Sequence, residues 1–177
     1  MKRIFILLII CDLFFCSMNA QIHFHANVAN NHLWRGMEVA DGMVFTSDIS
    51  ITDKNEYFRI GLWGGTNTSG TYKEFNHYVS FTYRQLNLSV WDTYNFSPGA
   101  TYNNKEYFNY SAHSTGRFID ATLSYRFGKQ FPLFVAWSTI LFGRDRNTSN
   151  TANKYSTFVY VEYPIYQNKG WNIDTGI

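Results

Sequence analysis

The residues with the types and spacing for metal chemistry are His23, His25 and His32. Two of them, at i and i+2, share one face of any strand they lie on. No Asp or Glu accompanies them on that short segment, and Asn27 is a poor ligand. A metal centre assembled from His normally recruits a carboxylate, thiolate or further His, so the favoured reading is histidines facing a polar interior with no metal. His77 and the pair His113-Ser114 raise acyl transfer, but the chain has no GxSxG elbow and no acid can be assigned to complete a triad. Carboxylates are dispersed, without the paired placement that glycoside hydrolysis needs. The sequence is therefore read as non-enzymatic, with no cofactor. Phe96, Tyr102, Tyr107, Phe108 and Tyr110 crowd the segment 96–116. They suit a ligand site, or, as the favoured reading, an aromatic girdle with a loop folded over the rim of a barrel.

The leading segment explains the absent thiols. Lys2 and Arg3 precede an apolar run from Ile4 to Ile10, and Ser17-Met18-Asn19-Ala20 offers a cleavage site, so residues 1–20 are expected to be a signal peptide. Cys11 and Cys16 both fall inside it, which leaves the mature chain no disulfide, CxxC site or thiol nucleophile. Residues 21–177 are long enough for a single domain. The formal net charge of +2 shows no nucleic-acid footprint.

Positioning elements come next. Aromatics make up 19% of the chain against 16% charged residues, a bias toward β-formers. Period-2 alternation recurs with no convincing helix. Ile22–Val28, Phe45–Ile51, Phe58–Leu62, Val79–Tyr83, Leu86–Trp91, Ile119–Arg126, the run FPLFVAWSTILF (131–142), Phe158–Tyr163 and a start at Trp171 give about nine strands. The run at 131–142 is too short to span a bilayer as a helix, which takes about 20 residues, and suits a transmembrane strand of about 9–11. Its unbroken apolarity blurs the two faces at Phe134 and Ile140. Polar turns at 52–55, 84–85, 128–130 and 167–170 alternate with longer links at 30–42, 65–73, 96–116 and 143–153. That order is the signature of an up-and-down transmembrane barrel with short periplasmic turns and long outer loops.

The polar track of these strands supplies the expected lumen: Asp48, Arg59, Tyr78, Arg84, Trp91, Asp120, Arg126 and Glu162. Mixed charge can pair across a narrow polar channel. The same alternation would also suit a soluble sheet turned inside out.

The stretch NNHLWRGMEVADG (30–42), leading into the alternating MVFTSDISI, resembles the TorF-type porin family of Gram-negative outer membranes. Trp34, Arg35 and Gly36 match its aromatic-Arg-Gly signature, and IGLWGGTN (60–67) is similar to its Gly-x-Trp-Gly strand end. YFNYSAHSTGRFIDATLSYRFG and FPLFVAWSTILFGRD look like forms in Bacteroidota members. The resemblance covers nearly all of the mature chain. It implies an all-β, up-and-down antiparallel transmembrane β-barrel acting as a passive pore for small solutes, without catalysis. Arg35 would then be a lumen charge and Gly36 a tight backbone point, or the two would form a loop cap. Outer-membrane lipid, lipopolysaccharide and the barrel-assembly machinery would be its partners, with no nucleic acid. Single-chain bacterial barrels have even strand numbers, so the intact protein is expected to hold about 10–12 strands, with the last ones beyond Ile177. The alternatives are a structural or ligand-binding barrel without conductance, a secreted β-sandwich or lipocalin-like binder, and a membrane-barrel hydrolase.

Overall fold

The structure, a computed structural model, describes residues 20–128, 130–168 and 171–176. The expected signal peptide, with Cys11 and Cys16, lies outside the described residues except for Ala20.

Every described element is a strand or a turn. The strands are β1 (Gln21–Ala29), β2 (His32–Trp34), β3 (Met37–Ala40), β4 (Val44–Thr52), β5 (Phe58–Asn67), β6 (Lys73–Tyr83), β7 (Leu86–Asn95), β8 (Arg117–Arg126), β9 (Phe134–Gly143), β10 (Thr157–Asn168) and β11 (Trp171–Gly176). One antiparallel sheet of nine runs β1-β4-β5-β6-β7-β8-β9-β10-β11, and β2-β3 forms a separate hairpin. Each strand of the large sheet pairs with its successor in the chain once that hairpin is set aside. This is a meander, not two packed layers, and β1 and β11 do not pair with each other.

The expected nine strands are those of the large sheet; the hairpin falls in the segment read as a loop. The alternation of link lengths survives at three of the four expected long links. The exception is the second. β5 runs on through Gly64 and Gly65 to Asn67, pairing Thr66 with Phe45, so only residues 68–72 remain to join it to β6.

The sheet curls around the hairpin. The His32 ring lies 5.5 Å from that of Trp63 on β5, and the Trp34 ring lies 5.9 Å from that of Phe158 on β10. One cavity is bordered by Trp63 of β5, Asn76 of β6, Trp91 of β7, Thr122 of β8 and Ser138 of β9 together with His32 and Trp34 of the hairpin, so the face toward the hairpin is concave.

Burial follows this shape in an unusual way. The concave face carries Thr46, Asp48, Ser50 and Thr52 of β4, Asn76 and Tyr78 of β6, and Asp120, Thr122 and Ser124 of β8, in matching register. Ser50 and Thr52 are fully buried there. The convex face carries the apolar series, and it is open: Phe24 is 67% exposed, Ile60 61% and Val159 62%. Among the described residues Ala40, Val44 and Tyr72 form a buried apolar cluster at the hairpin base, with Trp63 against them, while Tyr78, Tyr94, Phe118, Ala136 and Ile140 are buried elsewhere.

The alternation of the apolar run 131–142 breaks at its end. Opposite β8, Asp120 pairs with Ile140 but Ile119 pairs with Phe142, so β9 carries a bulge at this point. A bulge adds one residue and breaks the alternation. Ile140, in phase with Ala136 and Ser138, is buried at the concave side, Trp137 and Leu141 stay exposed, and beyond the bulge Phe142 shares the convex side with Ile119.

Candidate functional site: a hairpin seated in a polar concavity

The hairpin begins with its turn. Trp34 pairs with Met37, so Arg35-Gly36 is a two-residue loop, and both residues have positive φ, 53° and 76°. That is the primed turn whose twist matches antiparallel strands, with Gly at its second position. A Cβ at Gly36 would meet nothing within 4 Å, so the requirement is conformational and not spatial. Trp34-Arg35-Gly36, read as a family signature, is thus the tip of a hairpin inserted into the concavity.

Ionic and ring contacts hold this tip. The Arg35 guanidinium donates to the Asp120 carboxylate on β8, with both side chains largely buried (12% and 9% exposed). It also stacks over the rings of Trp34, at 4.4 Å, and Phe158, at 4.6 Å. Trp34 in turn packs against Phe118, with ring centroids 5.6 Å apart. Arg35 Nη1 and Asp120 Oδ1 remain buried with no hydrogen-bond partner, a costly arrangement for either group alone. At the hairpin base His32 sits between Trp63 and Tyr72, at 5.5 and 5.4 Å. Burial pushes His32 below its usual value of 6.5 and the Tyr72 hydroxyl well above its own, where the Glu74 carboxylate adds to the effect.

Most expected lumen residues converge on the concave face. The Tyr78 hydroxyl donates to Asp48 at 3.0 Å, and its ring stacks on Trp91 at 4.2 Å and 15°. That ring occupies the space above Gly61, where a Cβ would collide with it. Arg59 donates to Ser50 at 3.0 Å. Arg126 lies over Phe134, 4.7 Å from the ring centroid, and 4.0 Å from Glu162, which also accepts from Tyr160 at 2.8 Å. Arg84 is a correction. It lies in the β6–β7 turn at φ 55°, exposed, with its guanidinium over Tyr83 on the convex side. A two-residue turn takes Arg84 out of the period-2 pattern, so its parity no longer points it inward.

His23 is on the concave face, bonded to Thr52 at 3.0 Å, and His25 pairs with Asp48 across the strands. His32 is separated from both by its place on the hairpin. Among the described residues no group of three His, Cys, Asp or Glu is disposed to hold a metal.

Two cavities flank the hairpin tip. One of about 280 Å³ is bounded by Trp34, Trp63, Trp91, Glu74 and Asp120. The other, about 580 Å³, lies toward Phe158 and Tyr160, with Arg35 and Ser138 common to both walls.

Sequence reasoning missed Arg117. It is fully buried on the convex side of β8, donating to Asp92 at 2.8 Å and to the Tyr107 carbonyl at 2.7 Å. The rings of Tyr94, Tyr107 and Tyr110 enclose its guanidinium at 4.3–4.8 Å. Tyr110 donates to Asp92 at 2.7 Å, and Tyr107 shares a 2.8 Å bond with His77. The segment 96–116 is thus folded over the end of the sheet, enclosing Arg117 and bonding Asp92 and His77 on the largely apolar convex face. The signal was present, since Arg117, Asp92 and His77 break the apolar parity of their strands. No family model, no curated protein and no solved structure matches the chain.

Proposed function

We propose that the chain is an integral outer-membrane β-barrel whose polar lumen, narrowed by the β2–β3 hairpin, passes small solutes by passive diffusion. The observation that carries this reading is the inverted distribution of side chains. Large apolar residues on the convex face of β1 and β4–β10 are open to the surroundings, Ile22 at 73% and Ile165 at 66% among them. Polar and charged groups are buried in the concavity. In water, contiguous apolar patches rarely exceed about 300–600 Å², whereas lipid requires this polarity of faces. The loop at one end of the sheet encloses Arg117, and the ionisable side chains Asp92, His77 and Lys73 of the convex face lie toward the same end. In lipid the exposed β1 and β11 edges must also be covered, because unpaired backbone groups there are costly; closure of the barrel belongs to this proposal.

A second reading, a ligand-binding barrel without conductance, is favoured by the hairpin itself, which fills the middle of the concavity. Fractionation and planar-bilayer recording test both. Recovery from the detergent-solubilised outer membrane with discrete conductance steps is expected. Recovery in the soluble periplasm would overturn the membrane reading, and a silent bilayer would leave the binding barrel.

A further inference from the structure

We propose that the cavity of about 280 Å³ beside the hairpin is a binding site for a small organic cation, an alkylammonium or quaternary ammonium group. The inference uses the concavity of the reading above and does not depend on conductance.

The walls carry one unbalanced charge. Of the ionisable groups bordering the cavity, Arg35 and Asp120 neutralise each other. His32 is held below its usual value by burial, which favours its neutral form. Glu74 remains. Its two carboxylate oxygens accept only side-chain amides, Asn76 at 2.8 Å and Asn95 at 3.2 Å, and among the described residues no Lys or Arg lies within ion-pair distance. Arg144, which borders a neighbouring cavity of about 150 Å³ together with Glu74, lies over the rings of Tyr102, at 3.7 Å, and Phe118, at 5.1 Å, and beyond ion-pair distance of that carboxylate. A carboxylate half-withdrawn from water without a cation favours an occupant of positive charge.

The remaining walls suit the same occupant. Indoles of Trp34, Trp63 and Trp91 border the space, and indole faces attract cations more strongly than other rings do. The rival occupant for an aromatic cavity is a neutral polyol, which needs free hydroxyls and amides. Here most of those groups are engaged within the wall, and what stays open there is the Thr93 hydroxyl with Arg35 Nη1 and Asp120 Oδ1. Thr122 and Ser138 bond each other at 2.7 Å, and Asn76 spends its amide on Glu74 and its carbonyl on the Tyr94 backbone N–H. The volume lies at the small end of ligand pockets, about 300–1,000 Å³, which points to a compact headgroup.

The test uses the full chain, refolded in detergent, with tetramethylammonium chloride as probe and tryptophan fluorescence as readout. Sodium chloride at equal ionic strength and glucose serve as controls. Saturable quenching by tetramethylammonium is expected, weakened about tenfold in Glu74→Gln and retained in Glu74→Asp. Far-UV circular dichroism identifies a variant that has lost its strands; the Glu74→Asp protein then carries the comparison. Quenching that fails to saturate, that is equal in wild type and Glu74→Gln, or that glucose reproduces, would overturn the proposal. Saturable binding with a silent bilayer would sink the pore and leave the site standing; conductance without binding would do the reverse.

Discussion

Replacing Asp120 by Asn isolates the contact that seats the hairpin. The Arg35–Asp120 pair joins the turn of a two-stranded hairpin to β8, and neither side chain has more than 12% of its surface open. Removing one partner of such a pair leaves a buried charge uncompensated, at a cost of about 3–5 kcal/mol. The lower end applies here, because Asn keeps an acceptor oxygen and Arg35 keeps its ring contacts with Trp34 and Phe158. Asp120→Asn is therefore expected to destabilise by about 3 kcal/mol, and Arg35→Met by a similar amount. Arg35→Met/Asp120→Asn carries no buried charge, so it should fall short of the sum by at least about 1.5 kcal/mol. Urea unfolding of the protein reconstituted in phospholipid vesicles, followed by tryptophan fluorescence, measures all four corners of the cycle. Trp34 and Trp91 lie close enough to report the hairpin as well. Additivity within about 0.5 kcal/mol would refute the reasoning, since it would mean that the two charges are solvated independently.

Three further outcomes are expected. Gly61→Val should displace the Tyr78 ring from its stack on Trp91 and cost about 1–3 kcal/mol, the range for overpacking, with loss of near-UV circular dichroism. Leu62→Arg, on the convex face near the middle of β5, should cost about 2–4 kcal/mol for insertion if that face meets lipid, measured as the yield of folded protein in vesicles against detergent. Acid should loosen the 96–116 loop. Amides of Asn103 and Asn109 donate to Glu106 and hold its carboxyl below the ordinary value of 4.5. A depressed carboxylate stabilises fully above its unfolded value and loses that contribution as pH falls through the folded one. Hydrogen exchange in the loop should therefore rise below about pH 4.5 in wild type, relative to the rest of the sheet, and Glu106→Gln should flatten that dependence.

The elements and the site were legible to different degrees. Strand alternation is a local property, and Ile22–Val28, Phe45–Ile51 and Ile119–Arg126 all lie inside observed strands. The turn Arg35-Gly36 was legible too, as an X-Gly pair between the β-formers of HLW and MEV, but the segment was read as a loop because its strands are only three and four residues long. The short link at 68–72 escaped because glycines usually interrupt strands. Here Gly64 and Gly65 continue β5, with Trp63 and Tyr72 packed over the space where a Cβ at Gly65 would sit.

By itself, the amino-acid sequence determined an all-β chain, the nine strands of its large sheet, and the parity that puts Asp48, Arg59, Tyr78, Trp91 and Asp120 on one face. Those follow from backbone geometry and side chains of neighbouring residues. Only the tertiary structure decided which face is concave, because a period-2 pattern is unchanged when the sheet curls the other way. It likewise decided that Arg35 meets Asp120, 85 residues away, that Arg117 is enclosed by Tyr94 of the neighbouring strand and by Tyr107 and Tyr110 of the loop leading into it, and that a bulge carries Phe142 to the convex side. Each of these rests on how segments meet in space, which local spacing does not encode.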